Sequence, residues 1–170
     1  VRFKYDSPPI NETKFELKNQ IYKRHYISCN LCGHWFSEQE IGLQNLYFGE
    51  YMNSTYGNKI AETFEKIISL SNEKSDNFSR IRRIKKFKEI KFSNKKSIEL
   101  LDVGSGLGIF PYSVKNLGWD CTVIDPDKHS VAHMKKRIGI KTIHGEFMKI
   151  RNIGKYNVIT LNKVLEHIRD

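Results

Sequence analysis

The run Leu100-Leu-Asp-Val-Gly-Ser-Gly-Leu-Gly108 constrains this chain more than any other part of it. SIELLDV reads as a compact apolar strand, three glycines follow within five residues, and IFPYSVKNLG reads as a helix closed by Gly118. A strand that passes through a tight glycine turn directly into a helix opens a crossover unit of a parallel sheet. The alternation then continues. CTVID reads as a second strand, and DKHSVAHMKKRIG as a helix capped by Asp127 and ended by Gly139. IKTIHG offers a short third strand and YNVITL a fourth. From residue 97 onward the chain therefore reads as α/β, a parallel sheet with flanking helices.

The glycine turn sits where such sheets bind nucleotide-like ligands, at the carboxyl end of the first strand. Gly104 permits the turn, Gly106 lets backbone approach a ligand, and Gly108 allows close packing where the helix begins. Asp125 closes the second strand 21 positions after Gly104, where a carboxylate can accept both hydroxyls of an adenosine ribose. The dinucleotide pattern G-x-G-x-x-G needs Gly or Ala at a position held here by Ile109. An acid two residues before the loop, Asp102, opposes a pyrophosphate but suits a ligand with an ammonium group and a sulfonium centre. These details favour S-adenosylmethionine over NAD.

The sequence resembles the class I S-adenosylmethionine-dependent methyltransferases. LLDVGSGLGIF is similar to their first motif, VIDPD to the acidic loop after the second strand, HGEF to the segment after the third, and YNVITLNKVLEHIRD to the fourth-strand motif. The resemblance implies a Rossmann-like parallel sheet with flanking helices, a partial methyltransferase fold because seven strands are usual and Asp170 lies just past the fourth. It implies either a chain truncated there or one completed by a partner segment, with weak or no turnover from these residues alone. Asp102 and the backbone of Gly104, Ser105 and Gly106 would surround the methionine portion of the cofactor, and Asp125 would bind the ribose. Glu146 or its neighbouring backbone would approach the adenine amine, Pro126 and Phe147 would wall the base, and Asn162 would lie near the reacting methyl. His167 falls in the region of a general base, but such a residue can equally pack or cap a helix, so no base is assigned. Relatives that hold a metal with E-x-x-E-H carry an acid where this chain has Lys163, which argues against a metal there.

Upstream, residues 1–57 read as an arm followed by a small helical or irregular, aromatic-rich region, 58–96 as linking helices, and 97–170 as the cofactor-binding domain. YKRHYISCNLCGHWF and the tyrosine-rich stretch after it (Tyr47, Tyr51, Tyr56) resemble the amino-terminal region of bacterial methyltransferases acting on sugars or surface-polysaccharide precursors. Two C-x-x-C pairs precede the domain in those proteins. Only Cys29 and Cys32 are present here, and structural zinc takes four ligands, so zinc is expected in a longer protein more than in these residues. The first residue is Val and not Met, consistent with a piece of something longer.

Composition narrows the remaining classes. With 39% hydrophobic residues the chain can bury a core, and it has no apolar run long enough to span a bilayer. VRFKYDSPP carries charge where a signal peptide needs an apolar core, and three cysteines cannot build a disulfide scaffold, so a cytoplasmic, reducing setting is expected. Ten basic residues between Lys74 and Lys96 against Asp76 and Glu89 supply +8 of the net +10. That stretch is read first as a solvated helix laying Phe78, Ile81, Ile84, Phe87 and Ile90 on the core, and second as a phosphate-binding stripe. A small-molecule acceptor, a sugar or nucleotide sugar, is the leading expectation. An RNA methyltransferase and a non-catalytic cofactor-binding scaffold are the alternatives, and oligomeric state is left open.

Overall fold

The computed structural model describes residues 1–10, 22–39 and 55–168. Residues 11–20 of the expected arm over 1–20, and the tyrosines Tyr47 and Tyr51, lie outside these residues.

The amino-terminal region holds three short antiparallel strands, β1 (Phe3–Tyr5), β2 (Arg24–Ser28) and β3 (Trp35–Gln39), in the order β1-β2-β3. The reading of this region as helical or irregular is corrected here. Arg-His-Tyr-Ile-Ser and Trp-Phe-Ser-Glu-Gln are rich in aromatic and β-branched side chains, and CNLCGH between them reverses the chain. The turn is closed by hydrogen bonds from Gly33 to the Cys29 carbonyl (2.9 Å) and from Cys29 to the His34 carbonyl (2.8 Å).

Two helices follow, α1 (Ile60–Ile68) and α2 (Asp76–Lys91). Phe64 of α1 is buried, its ring edge-on to Tyr112 and to His133. The expected apolar stripe of α2 is not observed as a whole. Ile84 is buried and Ile81 packs at the edge of the core, but Phe78, Phe87 and Ile90 are 41%, 45% and 64% exposed. A spacing of three falls short of a full turn by about 60° per step, so such a stripe winds off the contact face. Positions seven apart stay aligned, and the buried pair on this helix is Asn77 and Ile84.

The remaining elements are β4 (Glu99–Val103), α3 (Ile109–Asn116), β5 (Asp120–Asp125), α4 (Lys128–His133) with a π-helical turn at Met134–Ile138, β6 (Lys141–His144) and β7 (Val158–Leu161). They build the expected α/β unit, a parallel sheet in the order β6-β5-β4-β7. A parallel sheet needs cover on both faces, which the near-continuous apolar runs of β4 and β5 anticipate. Leu100 and Val123 pack on one face with Phe110, Val114 and Met134 of the helices, beside Phe64 and Ile84. Leu101, Val103 and Ile124 form the other face with Phe147, Ile150 and Tyr156 from the β6–β7 connection. The chain steps outward from β4 to β6 and then returns to place β7 on the other side of β4. That reversal opens a crevice beyond the carboxyl end of β4, the position where open α/β sheets take ligands.

Candidate functional site

The carboxyl ends of β4, β5 and β7 converge on a cavity of about 870 Å³, within the range of small-molecule sites. All nine residues expected at a cofactor line it: Asp102, Gly104, Ser105, Gly106, Asp125, Pro126, Glu146, Phe147 and Asn162.

The glycine loop is shaped by what surrounds it. Gly104 has φ +68°, and a Cβ there would stand 2.6 Å from Val164 Cγ2. Gly108 has φ +76°, and a Cβ would stand 2.6 Å from Ile138 Cδ1 and 2.7 Å from Met134 Cγ. The loop therefore nests against the π-helical turn on one side and the segment after β7 on the other. Its direction is set by the Gly104 amide, which donates to the Ile124 carbonyl at 2.8 Å and extends the β4–β5 ladder.

Asp102 is 1% exposed at the centre of the sheet. Oδ2 accepts from the Ser105 hydroxyl, while Oδ1 accepts from Thr160 Oγ1 (2.6 Å) and Asn162 Nδ2 (3.2 Å). Burial pushes this carboxyl up to about 6, against the opposing pull of Ser105, Thr160, Asn162 and the charge of Arg80. Asp125 is 4% exposed. Its two oxygens accept from the Gly106 amide (3.0 Å) and the Asp127 amide (2.9 Å), tying the glycine loop to the start of α4. Burial raises this carboxyl to about 6 as well, the two amides opposing it and the neighbouring Asp127 and Asp102 charges adding to it. Asp127 caps α4 through the amides of His129 and Ser130, as its position in the sequence predicts.

Around this pair the walls differ. Beyond β5 and β6 lie Pro126, whose carbonyl is 3.0 Å from His144 Nε2, Phe147, and Glu146 in an ion pair with Lys149. Beyond β7 lie Asn162, Lys163, Glu166 and His167, facing Asn77 and Arg80 of α2. Four of these contributors escape motif reading. Thr160 is directly opposite Asp102 in the parallel register, so pairing the first and fourth strands would have exposed it. Asn77 and Arg80 sit on a helix whose sequence suggests a core face and a solvated or phosphate-binding face, with nothing to place either residue at the cavity. Lys163 enters the sequence reading only as the residue that replaces an acid of a metal motif, and its left-handed backbone, φ +58°, is seen only in the structure.

Cys29 and Cys32 are apart from this cavity, on the β2–β3 turn, both free thiols. Backbone amides of Cys32 and Leu31 and the Cys32 thiol lower the Cys29 thiol below its ordinary range. Two thiols are half of a structural zinc set, and among the described residues no group of three His, Cys, Asp or Glu comes together to hold a metal. The third cysteine, Cys121, is a buried core thiol on β5 that burial raises to about 12. Among the described residues no helix is long and apolar enough to cross a membrane.

Residues 74–170 match the methyltransferase domain family. Similar solved structures include N-methyltransferase NodS from Bradyrhizobium japonicum WM9 with S-adenosyl-L-homocysteine, 14% identical over 66% of this chain and 61% of that one, TM-score 0.44. The plantazolicin methyltransferase BpumL with the same ligand is 19% identical over 70% and 48%, TM-score 0.45. A dimethyladenosine transferase from Plasmodium falciparum is 25% identical over 40% and 26%, TM-score 0.37. The chain thus spans between about a quarter and three fifths of these three proteins. No curated protein matches it by sequence. Because the family match takes in more than half of the chain, including every strand that builds the cavity, the chain belongs to the class I S-adenosylmethionine-dependent methyltransferase domain family.

Proposed function

We propose that the cavity binds S-adenosylmethionine and that the protein transfers its methyl group to a small-molecule acceptor, a sugar or nucleotide sugar. The observation that carries this reading is the pair of buried carboxylates, Asp102 and Asp125, held on either side of one glycine loop at the carboxyl edge of a parallel sheet. Two acids and no basic side chain in that bond network suit a cationic ligand and oppose a pyrophosphate.

In this reading Asp125 accepts the ribose hydroxyls and Asp102 holds the ammonium of the methionyl end. Pro126 and Phe147 wall the adenine, Glu146 meets its amine, and the Gly104, Ser105 and Gly106 backbone shapes the middle. Asn162, fixed by its bond to Asp102, borders the reacting methyl. The cofactor supplies an activated methyl on sulfur, so the protein's share is to align the acceptor with the methyl–sulfur bond and to exclude water. A base is needed only for an acceptor that must lose a proton, and His167 lines the cavity where one would stand. The three free thiols suit a reducing, cytoplasmic setting. Zinc on Cys29 and Cys32 would require two more ligands from outside the described residues, and metal analysis of the chain tests it.

Calorimetric titration with S-adenosylhomocysteine tests the cofactor reading. Asp125→Ala is expected to weaken binding about tenfold or more, the loss of a charge-assisted contact. Unchanged affinity would remove Asp125 from the site, and preference for NAD would overturn the reading. An RNA acceptor is the second reading, favoured by the exposed cations of α2. It predicts salt-steep RNA binding lost on neutralising Arg82, Arg83, Lys85 and Lys86. Cofactor affinity without methyl transfer would support a scaffold.

A further inference from the structure

The two ends of the cavity differ in charge. The β5 end gathers Asp125 and Asp127, with the cation Lys149 taken up by Glu146 at the rim. The β7 end gathers Arg80 and Lys163, which converge on one carboxylate oxygen. Asp76 Oδ2 accepts from Arg80 at 2.7 Å and lies 4.0 Å from Lys163 Nζ. The Asp76 side chain is 71% exposed, whereas that of Arg80 is only 22% exposed, so the guanidinium is the more enclosed member of its pair. Glu166 also lines this end, and the balance there is neutral where the β5 end is acidic.

Two further features mark the β7 end as a place for a ligand. Lys163 holds a left-handed backbone, φ +58°, that disfavours any residue with a Cβ, and it follows directly on Asn162. Strain of this kind clusters at functional sites, and the Lys163 side chain, 75% exposed, stands at the rim of the cavity. Asn77, one turn before Arg80 on α2, is 7% exposed. Its Nδ2 donates to Ser113 Oγ at 2.8 Å, but its Oδ1 is buried without a donor. Buried carbonyl oxygens are rarely left so, and the residue that carries this one lines the cavity beside Arg80.

We propose that Arg80 and Lys163 form a phosphate subsite, so that the methyl acceptor is a molecule carrying a phosphate group. The inference rests on the cofactor reading above, which assigns the β5 end to adenosine and leaves the β7 end to the acceptor. On binding, the phosphate takes over from Asp76 as the shared partner of both cations, since an exposed ion pair of this type is weak. Paired cations of this kind, one of them a planar fork, are suited to phosphate oxygens.

The test is titration of inorganic phosphate into the full chain, with and without saturating S-adenosylhomocysteine. Saturable phosphate binding is expected, weakened about tenfold or more in Lys163→Met and in Arg80→Met, while Lys163→Met binds S-adenosylhomocysteine within about twofold of wild type. Lys163→Met keeps the strained backbone and removes only the charge, and thermal melting checks that both variants fold. No phosphate binding by the wild type, or wild-type phosphate affinity retained in either variant, would overturn the subsite. So would a matching loss of S-adenosylhomocysteine affinity in Lys163→Met, which would assign the lysine to the cofactor. Failure of the wild type to bind S-adenosylhomocysteine would strike the cofactor reading instead, with the phosphate titration still deciding the subsite.

Discussion

The two sheets of this chain are held together by different means. In the parallel sheet Leu100, Leu101, Val123 and Ile124 are completely buried, covered by helices on one face and by the β6–β7 connection on the other. In the antiparallel sheet none of the residues of β1 or β2 is fully buried, and Phe3, Trp35 and Phe36 are about half exposed. It relies on neighbouring side chains: Phe3 stacked on Trp35, Tyr5 edge-on to Tyr26, and Arg24 over the Tyr26 ring. A crossover sheet gains stability from layers, whereas a small hairpin sheet gains it from cross-strand pairs worth a few tenths to about 1 kcal/mol each. Precise placement of carboxylates belongs in the first kind of framework.

The sharpest way to break this contrast is to remove one side chain from each sheet. Leu101→Ala is expected to destabilise the chain by about 2–5 kcal/mol in urea unfolding, since it leaves a cavity between closed layers. Gly108→Ala should cost about 2–4 kcal/mol, combining left-handed strain with the collision of its Cβ against Ile138 and Met134, and thermal melting measures it. Trp35→Ala should cost about 0.5–1 kcal/mol and leave amide exchange in β4 and β5 unchanged, the smallest effect of the set. If it slowed or sped exchange in β4 and β5 as much as Leu101→Ala, the two sheets would be one cooperative unit.

Between these lies a pH effect that sharpens the contrast, because only the parallel sheet buries acids. Asp102 and Asp125, each raised to about 6 from 3.8, bind protons more tightly folded than unfolded. They therefore make stability fall as pH rises from about 4 to 6. Binding of a cationic cofactor runs the other way, because it favours the ionised form. Affinity for S-adenosylmethionine should rise about tenfold between pH 5 and 7 for each carboxylate that must ionise. Calorimetry across that range checks the direction, and a flat profile would mean that neither acid meets the ligand's charge.

Much of the parallel unit was legible in the sequence because period and punctuation agree there. The glycine loop, Asp125 at the end of β5, the Asp127 cap and the four strands each follow from local rules, and the nine expected residues share one cavity. What escaped depends on geometry between elements. Thr160 matters only through its register with Asp102, and Arg80 only because α2 turns that face toward the crevice. Phe87 and Ile90 mislead for the opposite reason, since a spacing of three looks helical over one turn and fails over four. The antiparallel sheet was missed because its strands are short and carry no buried alternation to announce them.

The Asp102 carboxylate has one consequence of its own. A carboxylate offers about four acceptor positions, and Ser105, Thr160 and Asn162 already fill three. What is left is a one-pronged socket. An amine can plug into it with a single N–H and disturb nothing, whereas a two-toothed head such as a guanidine would have to evict a resident. In the proposed reading, selectivity for an amino terminus over an amidine-like one follows from occupancy, before any wall of the crevice touches the guest.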